Sequence, residues 1–362
     1  MQYRRQRSLL YLSAFIGFGL FGLPVSAGSV FPAKSGDPGS RVLSVYSSLD
    51  QEIARPLIES YQTANPTIAV DYSEQQTQEI YAHIIDESDG PGVTADVAFS
   101  SAMDLQIKLA NDGYAASLNL PSAQLLPDWA SWRNSAFGVT FEPAVIIYHK
   151  PSFEGRDPPR TRAALISFLY NSNNKAYGRI GTYDIERAGV GFFFLARDQE
   201  HNRDIWQLVG AMGSAGVKLY SNSSAILERV ADGRFLLGYN ILGSYAATWA
   251  ASNPDIGIIL PEDYTVVMSR IALVPRAARS PDLGAGFLDF MLSRKGQEVI
   301  SREVRLPALH PALTGENTAA DLRARGEGRL RPVPVTPGLV VYLDQVKRER
   351  LIDRWNDALR AQ

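Results

Sequence analysis

The 362-residue chain contains no cysteine. This absence excludes thiolate nucleophiles, iron–sulfur clusters, cysteine-ligated zinc and disulfide bonds, so any chemistry must come from oxygen, nitrogen or backbone groups. An excess of one charge is also missing: 36 Lys and Arg residues stand against 38 Asp and Glu residues, without a long run of either sign. This balance argues against nucleic acid or an anionic membrane surface as a partner.

Motifs of the common enzyme classes are missing as well. The sequence has no P-loop, no dinucleotide-binding fingerprint and no HExxH motif. The segment 212–216 resembles a nucleophile elbow, but G-x-S-x-G requires glycine where Met212 stands. The four histidines are scattered without the spacing of metal ligands: His83, His149, His201 and His310. We therefore expect no enzymatic activity, no metal and no cofactor.

The first 27 residues differ in composition from the rest of the chain. Three arginines precede an apolar block at 9–23, and small residues at 25–27 are typical of a cleavage site. A membrane anchor is the alternative, but a spanning helix needs about 20 apolar residues. The block is shorter and is interrupted by glycines. We therefore expect residues 1–27 to be a cleaved signal peptide and the mature protein to be periplasmic.

Beyond the signal, strands alternate with helices. Residues 28–40 are Pro/Gly-rich and aperiodic, which predicts a flexible tether. Strand patterns at 42–46, 68–72 and 95–99 are each followed by a helical pattern, and Ser48 with Gln51 and Ser101 with Asp104 have capping-box spacing. Such alternation indicates an α/β fold with parallel strands, whose ligands bind where strands end and helices begin.

Two long extended stretches, 137–148 and 265–275, bracket a second alternation of strands and helices. This arrangement predicts two lobes joined by two hinge strands, each lobe a mixed sheet with flanking helices. We expect residues 41–142 and 270–362 to form the first lobe and residues 143–269 to form the second. A ligand would lie in the cleft between the lobes.

Five segments, in this order, carry a family resemblance: VYSSLDQEIARPLIESYQ, ADVAFSSAMDLQIKLANDGYA, FGVTFEPAVIIYHK, ERVADGRFLLGYNILGSYA and GAGFLDFMLSRKGQEVIS. The chain resembles the type II periplasmic solute-binding proteins of ABC importers, in the branch of ferric-iron and phosphosugar binders. It is particularly similar to the periplasmic component associated with the regulation of phosphoglycerate transport. The resemblance covers residues 42–305 and implies that an ABC permease or a membrane sensor kinase is the protein partner.

Ten residues at the strand-to-helix turns and the second hinge strand are candidates for holding a small anion: Ser47, Ser48, Ser100, Ser101, Thr182, Arg187, Tyr239, Asn240, Tyr245 and Arg270. Hydroxyls and free amide groups at helix N-termini favour anions, and guanidinium groups bind phosphate or carboxylate bidentately. Other roles remain open. The serines are also ordinary helix caps, Arg187 also suits an exposed surface, and Arg270 also suits an ion pair within the hinge.

Ferric iron is the alternative solute. In the ferric-binding relatives, neighbouring tyrosines at the segment corresponding to 239–245 generally hold the metal. Here Tyr239 and Tyr245 are separated by five residues. We therefore predict a monomeric binding protein for a small phosphorylated or carboxylated metabolite.

Overall fold

The computed structural model describes residues 29–36, 40–171 and 175–360. The predicted signal peptide lies outside these residues. Within them, no helix combines the length and the apolar composition that crossing a membrane requires.

The strands are β1 (Ser29–Phe31), β2 (Arg41–Ser47), β3 (Ile68–Glu74), β4 (Val97–Ser100), β5 (Ser131–Trp132), β6 (Ala136–Gly138), β7 (Glu142–His149), β8 (Ile180–Tyr183), β9 (Lys218–Tyr220), β10 (Leu237–Leu242), β11 (Ile256–Ile259), β12 (Thr265–Met268), β13 (Ile271–Leu273) and β14 (Leu330–Pro332). The α-helices are α1 (Gln51–Ala64), α2 (Thr77–Asp89), α3 (Met103–Asn111), α4 (Arg162–Asn171), α5 (Gly189–His201), α6 (Ile205–Ser214), α7 (Ser223–Ala231), α8 (Gly243–Ser252), α9 (Pro281–Leu292), α10 (Arg294–Arg302), α11 (Ala319–Gly326) and α12 (Gln345–Arg360). Short 3₁₀ helices occupy Pro121–Leu125, Asp128–Ala130, Lys150–Phe153 and Pro337–Leu343.

The first sheet has the strand order β1-β3-β2-β4-β13-β6-β5. Strands β2, β3 and β4 run parallel, and β13 lies antiparallel to β4. Leu43 and Val45, which point to the same side of β2, are fully buried, as expected for a strand covered by helices. Because the three strands are parallel, the turns that lead into α1, α2 and α3 all emerge at the same edge of the sheet.

The second sheet has the order β14-β12-β7-β10-β8-β9, and β11 also pairs with β7. Strands β8, β9 and β10 run parallel, whereas β7 is antiparallel to β10. The chain passes from the first sheet to the second at 139–141 and returns at 269–270. Both crossings fall inside the extended stretches that predicted hinge strands. The predicted two-lobed α/β fold, with a mixed sheet in each lobe, is confirmed.

The structure differs from the predicted boundaries at both ends of the described chain. Ser29–Phe31, expected within a flexible tether, forms β1 and pairs antiparallel with β3. The side-chain amide of Gln62 donates to the Phe31 and Pro32 carbonyls, both at 3.1 Å, and so fixes this segment on the sheet. The periodicity test misses β1 because a three-residue strand is too short to show alternation.

The C-terminal tail, residues 337–360, contacts both lobes. All residues from 270 onward were expected in the first lobe. Leu339 is buried where the 3₁₀ helix of the tail packs against α3 of the first lobe. Leu351 and Trp355 of α12 are buried in the core of the second lobe, where α12 packs on α6. A Cβ added at Gly213 of α6 would collide with the Leu359 carbonyl. The glycine-rich segment that resembled a nucleophile elbow thus serves helix packing.

Asp104 of α3 is buried where the two lobes and the tail meet. It lines a crevice with Phe192 of α5 and with Leu343 and Arg348 of the tail. One oxygen accepts a hydrogen bond from the Leu105 N–H at 2.9 Å. Burial raises the pKa of this carboxyl to about 7, against smaller opposing effects of the Leu105 N–H and the nearby arginines.

We predict that Asp104→Asn removes a pH dependence of stability. Because the folded-state pKa exceeds the unfolded one, the native state holds the extra proton, and stability falls as pH rises from about 4 to about 7. The total loss is on the order of 4 kcal/mol, of which about 2–3 kcal/mol falls between pH 5 and pH 8. Urea unfolding at pH 5 and pH 8 should show this loss in the wild type and a flatter profile in the variant. Asp86→Asn, an exposed position on α2, is the control. A wild-type profile as flat as that of Asp104→Asn would contradict the prediction.

Candidate functional site

A cavity of about 460 Å³ lies between the two lobes, at the carboxyl ends of their parallel strands. The first lobe contributes the turns before α1, α2 and α3, and the second contributes the turns before α5, α7 and α8. The lining residues are Ser48, Asp50, Glu74, Gln75, Gln76, Thr77, Glu79, Ser101, Tyr183, Ala188, Val190, Ser221, Asn222, Ser223, Ser224, Leu242, Tyr245 and Arg270. Because several helices begin at this wall, their N-terminal dipoles favour a negative guest.

Arg270 is the cation of the cavity. Its side chain is fully buried at the return crossing between the lobes. Nε donates to Glu142 Oε1 at 3.0 Å, and Nη1 lies 3.5 Å from the Ser48 carbonyl. Nη2 is buried and has no hydrogen-bond partner in the described part of the chain. A buried donor without a partner costs free energy, so Nη2 is a candidate binding point for an acceptor.

Glu142 fixes the orientation of Arg270. It is fully buried at the start of β7, and its Oε1 also accepts a hydrogen bond from Thr140 Oγ1 at 2.7 Å. Its Oε2 accepts a hydrogen bond from Ser244 Oγ of α8. Burial by itself would lower the pKa of Arg270, but the Glu142 carboxylate, together with smaller effects of Tyr245, Tyr72 and Asp50, outweighs it and leaves the pKa raised. The guanidinium is therefore charged and aligned.

The two serine turns of the first lobe meet beside Arg270. Ser48 Oγ accepts a hydrogen bond from the Ser101 N–H at 3.0 Å and lies 3.3 Å from Ser101 Oγ. The predicted capping boxes are wrong: the N-caps of α1 and α3 are Asp50 and Ala102, without side-chain cap bonds. Ser48 lies two residues before the cap of α1, and Ser101 lies one residue before the cap of α3. Because neither serine caps its helix, both remain on the cavity wall.

Tyr245 of α8 reaches across the cavity to the first lobe. Its hydroxyl donates to Asp50 Oδ1 at 2.5 Å, and burial raises its pKa well above the ordinary value. Two further contacts join the lobes beside the cavity. The Gly189 N–H donates to Thr77 Oγ1 at 3.1 Å, and Gln78 Nε2 donates to the Glu186 carbonyl at 3.0 Å. A Cβ at position 189 would collide with Thr77, so glycine is required for this close approach.

Two of the turns that line the cavity were not among the sequence candidates. Residues 74–77 begin at the last residue of β3, and residues 221–224 follow β9. Asn222 caps α7 by accepting a hydrogen bond from the Ala225 N–H at 2.9 Å. The strand-then-helix pattern at 68–85 contained the signal for the first turn. The second turn follows a strand of only three residues, which is too short to show an alternation of apolar and polar residues.

The chain matches a known protein family over most of its length. The family described as bacterial extracellular solute-binding protein matches residues 43–303. The chain belongs to this family. The substrate-binding protein of an ABC transporter from Agrobacterium tumefaciens is 59% identical, with 92% of this chain and 98% of that one covered and a TM-score of 0.89. No curated protein sequence matches the chain significantly.

More distant structures share the fold of this solute-binding protein. The periplasmic binding protein AfuA from Actinobacillus pleuropneumoniae, solved with exogenous fructose 6-phosphate, is 17% identical over 90% of this chain and 100% of that one, with a TM-score of 0.73. Iron-bound HitA from Pseudomonas aeruginosa is 16% identical over 88% and 99%, with a TM-score of 0.67.

Of the ten sequence candidates, four line the cavity of this solute-binding protein: Ser48, Ser101, Tyr245 and Arg270. Ser47 and Ser100 are buried and accept bonds from Leu49 and Ala102 amides, as turn-forming serines do. Thr182 donates to the Tyr239 carbonyl. Arg187 is exposed in the turn before α5, outside the cavity lining.

Tyr239 and Asn240 lie in a buried network inside the second lobe. Asp198 Oδ2 accepts hydrogen bonds from the Tyr239 hydroxyl and from Asn240 Nδ2, both at 2.7 Å. Its Oδ1 accepts from Arg162 Nη2 at 2.9 Å and from the Tyr264 hydroxyl at 2.7 Å. Arg162 and Asp198 are almost fully buried. Each carboxylate oxygen thus has two donors, so this network holds the lobe together without a ligand.

We predict that Asp198→Ala destabilises the second lobe by about 3–5 kcal/mol, because Arg162 would remain as an uncompensated buried charge. Asn240→Ala should cost less, about 2–3 kcal/mol, since it removes one of four bonds to the carboxylate and puts alanine at a left-handed φ of 58°. Urea unfolding measures both. Asp184→Ala, half-buried in the turn after β8, is the comparison variant. An Asp198→Ala protein as stable as the wild type would contradict the network's role.

No group of three or more His, Asp or Glu side chains within residues 29–36, 40–171 and 175–360 is arranged to hold a metal ion.

Proposed function

We propose that this solute-binding protein captures a small anionic metabolite, phosphorylated or carboxylated, in the interlobe cavity and presents it to an ABC permease from the periplasm. The observation that supports the anion is Arg270: a fully buried guanidinium on the cavity wall with Nη2 left without a partner. An anionic oxygen at Nη2 would complete the donor set of the guanidinium.

The rest of the wall suits the same guest. Ser48, Ser101, Ser223 and Ser224 offer hydroxyls close to helix N-termini, which carry about half a positive charge. The Glu142 carboxylate already neutralises the charge of Arg270. The free energy gained on binding an anion would therefore come from aligned hydrogen bonds in a site from which water is excluded. Such charge-assisted bonds are roughly twice as strong as neutral ones.

Binding between the lobes would couple the solute to lobe closure. Arg270 lies at the hinge, Ser48 and Ser101 belong to the first lobe, and Ser223 and Tyr245 belong to the second. A ligand that touches both lobes binds the closed form better than the open form and shifts the population by that difference. The closed, loaded form is then the species that the permease recognises.

Ferric iron is less compatible with these contacts than an anion. Tyrosine binds iron as tyrosinate, and burial raises the pKa of both Tyr239 and Tyr245 well above the ordinary value. Tyr239 is also held by Arg162 and Asp198, away from the cavity. The fold itself accommodates both kinds of solute, a phosphosugar in AfuA and iron in HitA, so the preference for an anion rests on the contacts of this cavity.

The anion assignment is tested by Arg270→Lys. Lysine keeps a positive charge beside Glu142 but loses the planar fork that presents Nη2. We expect isothermal titration calorimetry to show a 10- to 100-fold weaker affinity for the best ligand of a panel that includes fructose 6-phosphate, 3-phosphoglycerate, inorganic phosphate and glycerate. Arg187→Lys is the matched control and should bind as the wild type does. Unchanged affinity in a folded Arg270→Lys protein would refute the assignment.

Transport and sensing are separable in cells. If the protein serves a permease, deletion of its gene should abolish uptake of the radiolabelled ligand. A membrane sensor kinase as partner would instead leave uptake intact and abolish ligand-induced transcription. Deletion of the permease genes is the control for uptake by other routes. Retained uptake in the strain lacking the binding protein would contradict the transport role.

A further inference from the structure

Asp50 places a negative charge inside a cavity that otherwise suits an anion. It is the N-cap residue of α1 and lies on the cavity wall together with Arg270 and Tyr245. Oδ1 accepts the Tyr245 hydroxyl at 2.5 Å, and Oδ2 has no hydrogen-bond partner in the described chain. The side chain is half-buried. One carboxylate oxygen is therefore available to the ligand.

The two other acids of the wall differ from Asp50. Glu74 and Glu79 are exposed at the rim. Glu74 Oε2 accepts a hydrogen bond from the Gln51 N–H, and Glu79 Oε2 accepts one from the Gln76 N–H, both at 2.9 Å. These carboxylates bind backbone amides at the starts of α1 and α2, where acids are ordinarily stabilising. Solvent and salt screen these two carboxylates. Asp50 is therefore the acidic residue that can distinguish between ligands inside the cavity.

A carboxylate accepts hydrogen bonds and donates none. The ligand atom beside Asp50 must therefore carry a proton, as a hydroxyl does. An anionic oxygen in the same place would be repelled, and a methylene group would leave the carboxylate desolvated without a partner. A site that hydrogen-bonds a hydroxyl of its ligand discriminates strongly against the analogue that lacks it.

The uncharged part of the wall agrees with a hydroxyl-rich guest. Away from Arg270, the cavity is lined by the side chains of Gln75, Gln76, Asn222 and Ser224. Amides and hydroxyls both donate and accept, which suits several hydroxyl groups. Ala188, Val190 and Leu242 add an apolar part to the same wall.

We propose that Asp50 is a specificity-determining residue that restricts the cavity to anions bearing hydroxyl groups, with the anionic group at Arg270 and a hydroxyl at Asp50. This inference rests on the proposed anion-binding function. Deoxygenated analogues bind weakly because, with their anionic group at Arg270, no hydroxyl of theirs donates to the Asp50 carboxylate.

Calorimetry with matched probes tests the assignment. The pairs are glycerol 3-phosphate with propyl phosphate and glycerate with propionate, together with fructose 6-phosphate and inorganic phosphate. We expect the wild type to bind the hydroxylated member of the preferred pair at least 10-fold more tightly. In Asp50→Asn, which keeps an acceptor for Tyr245 and supplies a donor to the ligand, this ratio should fall to about threefold or less, chiefly because the hydroxyl-free member binds better.

Two controls separate selectivity from lobe closure. Glu79→Gln removes a rim charge and should preserve the ratio. Tyr245→Phe breaks the hydrogen bond between the lobes but keeps the Asp50 carboxylate, so it should preserve the ratio even if both affinities fall. If the wild type binds both members of each pair equally, or Asp50→Asn keeps the wild-type ratio, this inference alone is wrong. If the wild type binds none of the anions, the proposed function and this inference both fail.

Discussion

The buried ion pair between Arg270 and Glu142 determines how the two lobes and the cavity fit together. Glu142 stands where the chain enters the second sheet, and Arg270 stands where it returns to the first. Because both are fully buried, each would be costly without the other. Glu142 also accepts hydrogen bonds from Thr140 and Ser244. One carboxylate thereby connects both crossings and the start of α8, and it holds the guanidinium through Nε, which leaves Nη2 without a partner in the described structure.

Sequence patterns predicted the architecture because the fold depends on long-range regularities that a pattern records. Strands that alternate with helices predicted parallel strands, and the two extended stretches predicted the crossings. The same reasoning failed for short elements. The strands β1 and β9 have three residues each, and the tail crosses between lobes through a 3₁₀ helix before α12. Neither feature repeats along the chain, so no periodicity reveals it.

The candidate site was harder to predict because small backbone offsets decide which way a side chain points. Tyr239 and Asn240 stand at the end of a buried apolar run in the sequence and were reasonable candidates for the cleft. In the structure, the register of β10 against β7 shifts between Gly238 and Ile241, and Asn240 has a φ of 58°. This left-handed residue places Tyr239 and Asn240 against Asp198, whereas Tyr245, one turn into α8, reaches the cavity. A register shift of this kind leaves no trace in the polarity of the residues.

Burial of an arginine does not by itself indicate a ligand site, as the comparison of Arg162 and Arg270 shows. Both side chains are nearly or fully buried, and both pair with an acid. Arg162 donates through Nε, Nη1 and Nη2 to groups of its own lobe, so its charge is fully used in stabilising the fold. Arg270 keeps Nη2 unpaired at a wall between lobes. Because an unpaired buried donor costs free energy, a group that arrives from outside would stabilise it. The unpaired donor on a cavity wall, more than the charge, therefore makes Arg270 and not Arg162 the candidate for binding a ligand.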